Sequence, residues 1–372
     1  MNTRQRTLAA LDYQDYDRLP LAHFGFWKET LAKWADEGHI AREEAATWRD
    51  GNEAEKSIAG KLGFDFNYYS VVFCHTDLLP PFETEVIEEM PDGSRKVLNR
   101  DGVVVLDKDG AGSIPSEIDH ILKERKDWEE HYVHRLQFQA ERIGVDDQTK
   151  AYLEDENRSD PCGLHCGSLF GMIRNWLGVE GTAYLQADDP NLFSEIIEMV
   201  GELSYRCVET SLEITSAFDF GHFWEDICFK SGPLINPRVF DEKVGPHYKR
   251  ITDLLSNYGI SLVSLDCDGW IDALIPTWVN NGVNTMFPIE VGTWNASILP
   301  WREQYGRGLR GVGGMDKRVF AYDRSAIDAE VERLKPLVAL GGYIPCPDHR
   351  IAPDAKWENV QYYCDRMRST FG

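Results

Sequence analysis

The 372-residue sequence predicts an α/β fold: a TIM-type (β/α)8 barrel carrying an antiparallel β meander inserted near residues 83–110. Three observations predict it. From residue 219 onward, apolar β-type runs alternate with amphipathic helical stretches, the pattern of a parallel sheet. No Gly-x-Gly-x-x-Gly follows an early strand, which removes the main sign of a dinucleotide-binding sheet, and the count of strand–helix units suits a closed barrel. Finally, apolar runs late in the chain end in Asp266-Cys267-Asp268-Gly269, in Glu290 and in Asp348-His349-Arg350. In a parallel barrel such ends face one common pocket.

Taken in order, residues 2–11 read as a helix with Leu8 and Leu11 on one face, and 18–24 as the first strand. Residues 28–37 and 40–50 read as helices separated by Gly38, a stop signal. Residues 64–72 alternate and are rich in aromatics, so they read as strand. The meander rests on three Asp-Gly pairs, Asp92-Gly93, Asp101-Gly102 and Asp109-Gly110, which tolerate the positive φ of tight hairpin turns. Between them lie strand-like runs at 96–98 and 103–106. Helix is expected through 127–142. The small residues of 162–167, His165 and Cys166 among them, read as a Gly-rich loop, and 168–177 as a helix ended by Gly178. Residues 191–211 form an amphipathic helix opened by Pro190 and capped by Asp189. Then come strand 219–224, helix 237–258, strand 261–265, helix 270–280, strand 285–288, helix 298–305, strand 309–312, helix 325–340, strand 342–345 and helix 357–367.

The chain is expected to be a single domain over 1–372, a common length for one barrel. Hydrophobic residues make up 42%, enough for a large interior. Mean hydropathy is −0.40, and no uninterrupted apolar stretch reaches membrane-spanning length. The opening Met1-Asn2-Thr3-Arg4-Gln5-Arg6 lacks the apolar core of a secretory signal, so the expected location is the cytoplasm. Net charge is −23, from 62 acidic against 39 basic side chains, and no basic patch offsets it, which argues against nucleic acid. None of the eight cysteines forms Cys-x-x-Cys; most are expected to be reduced and buried, with Cys267 and Cys346 singled out by their place in the acidic loops.

Singly, each strand-end group has a plain explanation. Asp268 suits the cap of the next helix, a lone Glu290 suits solvent, and a lone His349 is more often structural. Jointly they point to a bound cation. Asp268, Glu290 and His349 supply the three protein ligands of a catalytic Zn²⁺ site, with Asp266 as a fourth ligand or its supporting partner. Carboxylate-rich ligation leaves Mn²⁺ or Mg²⁺ open as well. A second group follows the strand at 219–224: His222 and Trp224 as substrate contacts, with Glu225 or Asp226 as acid or base. The competing reading makes Glu225-Asp226 helix-start acids. Phe24 and Trp27, with Phe26 and Trp34, are candidates for an aromatic wall around an apolar substrate, and core packing explains any one of them equally well.

These residues carry a family resemblance. Trp224-Glu225-Asp226 with Gly232-Pro233-Leu234-Ile235-Asn236-Pro237, Asp266-Cys267-Asp268-Gly269, Gly313-Gly314-Met315-Asp316-Lys317, and Gly341-Gly342-Tyr343-Ile344-Pro345 leading to His349 resemble the uroporphyrinogen decarboxylase superfamily. The likeness covers most of the chain, is strongest from 220 to 363, and adds Tyr343 to the expected substrate contacts. It implies a TIM barrel. Uroporphyrinogen decarboxylases carry Arg-Gln-Ala-Gly-Arg after the first strand; this chain has His23-Phe24-Gly25-Phe26-Trp27-Lys28-Glu29, so the carboxylate-gripping arginines are absent. The other large branch, corrinoid-dependent methyltransferases, is similar in the placement of its strand-end ligands, although every thiolate there is replaced here by oxygen or nitrogen. There a His-x-Cys pair and a later Cys hold zinc; by placement Asp266 stands for the His, Asp268 for the first Cys and His349 for the later Cys.

The resemblance therefore implies a zinc-dependent methyltransferase. It would move a methyl group from a small methylated donor, such as a methoxylated aromatic, to the Co(I) of a cobalamin (corrinoid) carried by a partner protein, with the chain itself a monomer or homodimer. Replacement of thiolates by oxygen and nitrogen ligands suits an ether or amine better than a thiol. Two alternatives stand beside it: a decarboxylase or lyase using basic groups such as Lys317 and Arg350, and a non-enzymatic tetrapyrrole- or corrinoid-binding protein.

Overall fold

The structure, a computed structural model, describes residues 1–108 and 116–372. The Asp109-Gly110 turn expected from the sequence lies outside the described residues. In chain order the strands are β1 (Ala22–His23), β2 (Phe66–Asn67), β3 (Val71–Val72), β4 (Glu85–Glu89), β5 (Arg95–Leu98), β6 (Val103–Asp107), β7 (Ser116–His120), β8 (Gly163–His165), β9 (Phe220–Trp224), β10 (Cys228–Phe229), β11 (Gly232–Pro233), β12 (Val263–Asp266), β13 (Thr285–Ile289), β14 (Arg310–Met315) and β15 (Tyr343–Pro347).

Seven of them form one parallel sheet in the order β15-β14-β13-β12-β9-β8-β3, and β1 pairs in parallel with β2. The chain changes partner at residues 68–70, between β2 and β3. A parallel bridge between Phe26 and Ile351 ties the region after β1 to the region after β15. From β8 onward helices separate the successive strands of the parallel sheet, so the fold is TIM-like, and among the described residues the hydrogen-bond ladder is interrupted rather than continuous around a ring.

Strand periodicity sorts the side chains into two layers. Ala22, Phe24, Phe66, Tyr68, Phe220, Leu262, Phe287, Val312, Ile344 and Cys346 pack on one another inside the sheet. Ala10 and Leu11, from the helix Thr3–Leu11, join this inner cluster and close its N-terminal end. That helix is pinned by Asp219, which is nearly buried and accepts from Arg4 Nε at 2.7 Å, from Arg158 Nη1 at 2.9 Å and from the Cys162 N–H at 2.9 Å. The alternate positions, such as Leu164, Phe223, Val263, Leu265, Met286 and Tyr343, face the helices.

The inserted meander is present as the antiparallel sheet β4-β5-β6-β7, its last strand beyond the span read from sequence. Other differences are local. The strand read at 64–72 is two short strands. The Gly-rich loop read at 162–167 contains β8, a full member of the parallel sheet. Gly163 is required there because a Cβ would stand 2.4 Å from the Phe220 ring. Helix Glu53–Leu62 was not expected; Asn52 caps it and Gly63, at φ 101°, ends it. Residues 127–142 hold a π-helical turn, Trp128–Tyr132, and two 3-10 turns instead of one helix. Gly178, at φ 66° and ψ 171°, is non-helical and ends its helix as expected; a second helical stretch follows it directly within the segment Gly171–Asp188. The hairpin β10–β11 was also unforeseen.

Candidate active site

The C-terminal ends of β9, β12, β13 and β15 deliver ionisable groups to one mouth. Along β9, Phe220, His222 and Trp224 point inward. β12 sets Ser264 beside His222 and Asp266 beside Trp224. Past β12, Asp268 Oδ2 lies 3.1 Å from His349 Nε2, a residue that follows β15. The His349 ring is held by the aromatic residues after β1: Trp27 stacks on it at 5.4 Å between centroids, and Phe24 meets it edge-on at 5.3 Å. Phe24 is braced in turn by Phe287 at 4.5 Å and Tyr69 at 5.6 Å.

The carboxylates act on one another. Asp266 is 4% exposed, and its carboxyl is held well above the usual range by burial first and by the charges of Asp268 and Asp226, against the opposing pull of Arg350. Burial and Asp268 likewise raise Glu290, while the Gly269 N–H, the Thr293 hydroxyl and His349 oppose. Glu290 accepts from the Gly269 N–H at 2.6 Å and from Thr293 Oγ1 at 2.8 Å. Asp226 sits at φ 51°, a left-handed conformation that Asp tolerates better than most residues. Arg174 donates to the Asp226 carbonyl at 2.6 Å and lies 3.6 Å from its Oδ2. Burial and then Asp268 raise the Asp226 carboxyl.

Two expected participants face elsewhere. Glu225 is 0% exposed and points to the helix side of the parallel sheet, into the N-terminus of the helix Gly171–Asp188. It accepts from the Leu169, Phe170 and Gly171 N–H groups at 2.9, 2.9 and 2.6 Å, from Ser168 Oγ at 3.2 Å, and from the Tyr248 hydroxyl. Its lone pairs are taken by the fold, so its acid–base role is replaced by a capping one. It caps the helix that precedes it in the chain, where the competing sequence reading had the following element. Tyr343 also points outward; its hydroxyl donates to the Gly313 carbonyl at 2.8 Å, which corrects its assignment to the substrate. Cys267 faces the helix layer, with the Ile227 N–H donating to its sulfur at 3.5 Å, and Cys346 is buried in the inner cluster.

The expected cation ligands are therefore brought to one place but only partly assembled. Among the described residues, no three His, Cys, Asp or Glu side chains stand in a ready metal-holding arrangement. His349 and Asp268 form the nucleus. Two ligands of one tetrahedral zinc, each about 2.0 Å from the ion, stand about 3.3 Å apart, close to the observed separation. Asp268 Oδ1 is buried without a partner. Unpaired carboxylate oxygen amid like charges fits a cation; Glu290, committed to Gly269 and Thr293, is the ligand held back.

Sequence reasoning missed two groups. Arg350 reaches over the Phe24 and Tyr69 rings to bind Asp50 at 2.7 Å. Lys317 is largely buried, which lowers its ammonium, and Asp348, Asp268 and Glu290 pull the other way. Both had been named only as basic groups an alternative chemistry would need. Asp348 itself accepts from the Gly292 N–H at 2.6 Å and the Lys317 N–H at 3.2 Å, and so shapes the loop before His349.

No family model matches the chain, and no curated protein matches it. Among solved structures, it is similar to a methyltransferase from Methanosarcina mazei, at a TM-score of 0.60 and 15% identity, covering 100% of this chain and 99% of that one. At that identity the likeness establishes a shared fold over the full length. A protein from Listeria monocytogenes, assigned as a vitamin-B12 independent methionine synthase, aligns at a TM-score of 0.37 and 11% identity over 62% of this chain and 71% of its own. Among the described residues, no helix is long and apolar enough to cross a membrane.

Proposed function

We propose that this chain is a methyltransferase that takes a methyl group from a small methylated donor, of which a methoxylated aromatic is the leading class, and passes it to the Co(I) of a corrinoid held by a partner protein. The observation that carries the reading is the His349–Asp268 pair ringed by Asp226, Asp266 and Glu290 at strand ends, with one Asp268 oxygen buried and unpaired. The full-length fold shared with a protein described as a methyltransferase is consistent with it.

His349 and Asp268 would hold a divalent cation, zinc first, with Asp266 behind them. When bound, such an ion supplies Lewis-acid stabilisation of the charge that develops on a leaving oxygen or nitrogen. The chain's own residues do the rest. Trp27 and Phe24 fix the imidazole, so little reorganisation remains at the moment of transfer. Asp226, held by Arg174, orients the donor. The breaking bond joins the methyl carbon to its heteroatom, and the electron pair stays on the heteroatom while the carbon passes to the corrinoid.

The test mixes purified protein with reduced corrinoid protein and ether, amine and thioether donors and follows the corrinoid spectrum. Transfer is expected, with Asp268→Asn and His349→Ala each slowing it by at least about 100-fold, the scale of a lost electrostatic contact in an active site. Absence of transfer from every donor contradicts the proposal. A second reading, decarboxylation, draws on Lys317, a largely buried ammonium facing Asp268 and Glu290. It requires carbon dioxide release that Lys317→Met abolishes.

A further inference from the structure

Three tryptophans form an array on the loops beside the mouth. Trp270 and Trp294 stack at 6.2 Å between centroids, and Trp294 meets Trp301 at 6.1 Å. Trp270 is two residues past Asp268, and Trp294 is four past Glu290. Glu290 ties these two loops together, accepting from the Gly269 N–H at 2.6 Å and from Thr293 Oγ1 at 2.8 Å. Asp272 sets the ring planes: its Oδ2 accepts from Trp270 Nε1 at 2.9 Å and its Oδ1 from Trp301 Nε1 at 2.7 Å. Rings already fixed by the fold lose little further freedom when a ligand settles on them.

A cavity of about 490 Å³ opens on this array, within the roughly 300–1,000 Å³ usual for small-ligand sites. Trp270, Trp294 and Trp301 line it, together with Lys230 and Asn295. A second cavity of about 330 Å³, against Gly232, Pro233 and Ala273, also borders Trp270. Trp270 is 43% exposed, and its N–H donates at 2.9 Å to the carbonyl of Phe229, itself 55% exposed. Exposed apolar surface gathered in one place marks a binding site. The polar lining has groups to spare. Lys230 sits in the turn between β10 and β11 and forms no ion pair among the described residues. The Asn295 amide is likewise unengaged. The Trp294 indole N–H is buried without a partner, where a buried indole usually finds one. Each Asp272 oxygen already holds an indole, so the one unpaired charge on this cavity is positive.

We propose that this cavity binds a planar aromatic acid, its ring stacked on Trp270 and its carboxylate held by Lys230 and Asn295. Indole faces favour planar rings, and an unpaired ammonium with an amide donor beside it favours a carboxylate. A quaternary ammonium, the other ligand that tryptophan faces attract, is opposed here by the charge of Lys230. The site lies beside the His349–Asp268 pair and uses neither residue, so it stands independently of the methyl-transfer reading.

The test uses the full chain and no corrinoid. Naphthoate, its neutral amide and its saturated decalin analogue are titrated by calorimetry, while NMR follows the indole N–H signals. Naphthoate is expected to bind at least about fivefold tighter than either analogue, the scale of one aromatic pair or one charged hydrogen bond. Lys230→Met should erase the advantage over the amide, and Trp270→Ala the advantage over the saturated ring. Both positions are exposed, so both variants should keep a cooperative melt. The Trp270 and Trp294 indole signals should move as naphthoate binds. Equal affinity for acid and amide, tighter binding of tetramethylammonium, or affinity unchanged in Trp270→Ala overturns the proposal. If naphthoate binds as described and no methyl transfer is found, the functional reading fails and this site stands; transfer without naphthoate binding leaves the reading and removes the site.

Discussion

At the scale of single residues, one position along a strand decides between chemistry and scaffold. Glu225 and Asp226 are adjacent, yet Glu225 caps a helix outside the sheet while Asp226 faces the mouth. Truncating Glu225 strands three buried amides, and unsatisfied groups of that kind cost about 1–3 kcal/mol each. Glu225→Ala should therefore lower the melting temperature sharply, whereas Asp226→Asn should leave it nearly unchanged and slow transfer. Calorimetry beside an activity assay separates the two. His222 gives a pH prediction. Its folded value is depressed from 6.5 to about 3, so its stability contribution is complete above 6.5 and is lost as pH falls and the unfolded chain alone takes up the proton. Near pH 5 the loss amounts to roughly 2 kcal/mol at about 1.4 kcal/mol per unit. Denaturant titrations from pH 7 to 5 should show this slope in the native chain and a shallower one in His222→Gln.

At the scale of elements, the regular half of the chain was legible and the first half less so. Strands and helices beyond residue 219 follow apolar periodicity, which packing then confirms. β8 escaped notice because Gly163, His165 and Gly167 lack strand composition; only the neighbouring Phe220 ring explains the glycine. Gly163→Val should prevent stable folding, as read by loss of a cooperative melt, since a Cβ already collides with Phe220. Period-two alternation from Phe220 would have placed His222 and Trp224 inside and Glu225 outside, and from Ile344 it would have turned Tyr343 toward the helices. The cap by Glu225 was invisible in sequence because its partners lie more than fifty residues away. The N-terminal helix is held against the sheet through Asp219. Its buried bonds to Arg4 and Arg158 make Asp219→Ala costly, because two cations lose their partner. The expected outcome is a lower melting point with early proteolysis near the N-terminal helix.

At the scale of the whole molecule, an acidic chain gathers its most strained charges at one mouth. Asp226, Asp266 and Glu290 all carry carboxyls raised by burial and by Asp268, a cost that a bound divalent ion would relieve. A ligand that binds only the folded state stabilises it by mass action, so zinc should raise the melting temperature of the native chain and not that of Asp268→Asn. The most direct measurement is elemental analysis of protein purified without chelator, run on the native chain and on Asp268→Asn and His349→Ala. About one equivalent of a divalent metal in the native chain, zinc first, and its loss from both variants is the expected result for a site with few protein ligands. A native chain that carries no metal, takes up none on titration and still transfers methyl groups at full rate would contradict the account.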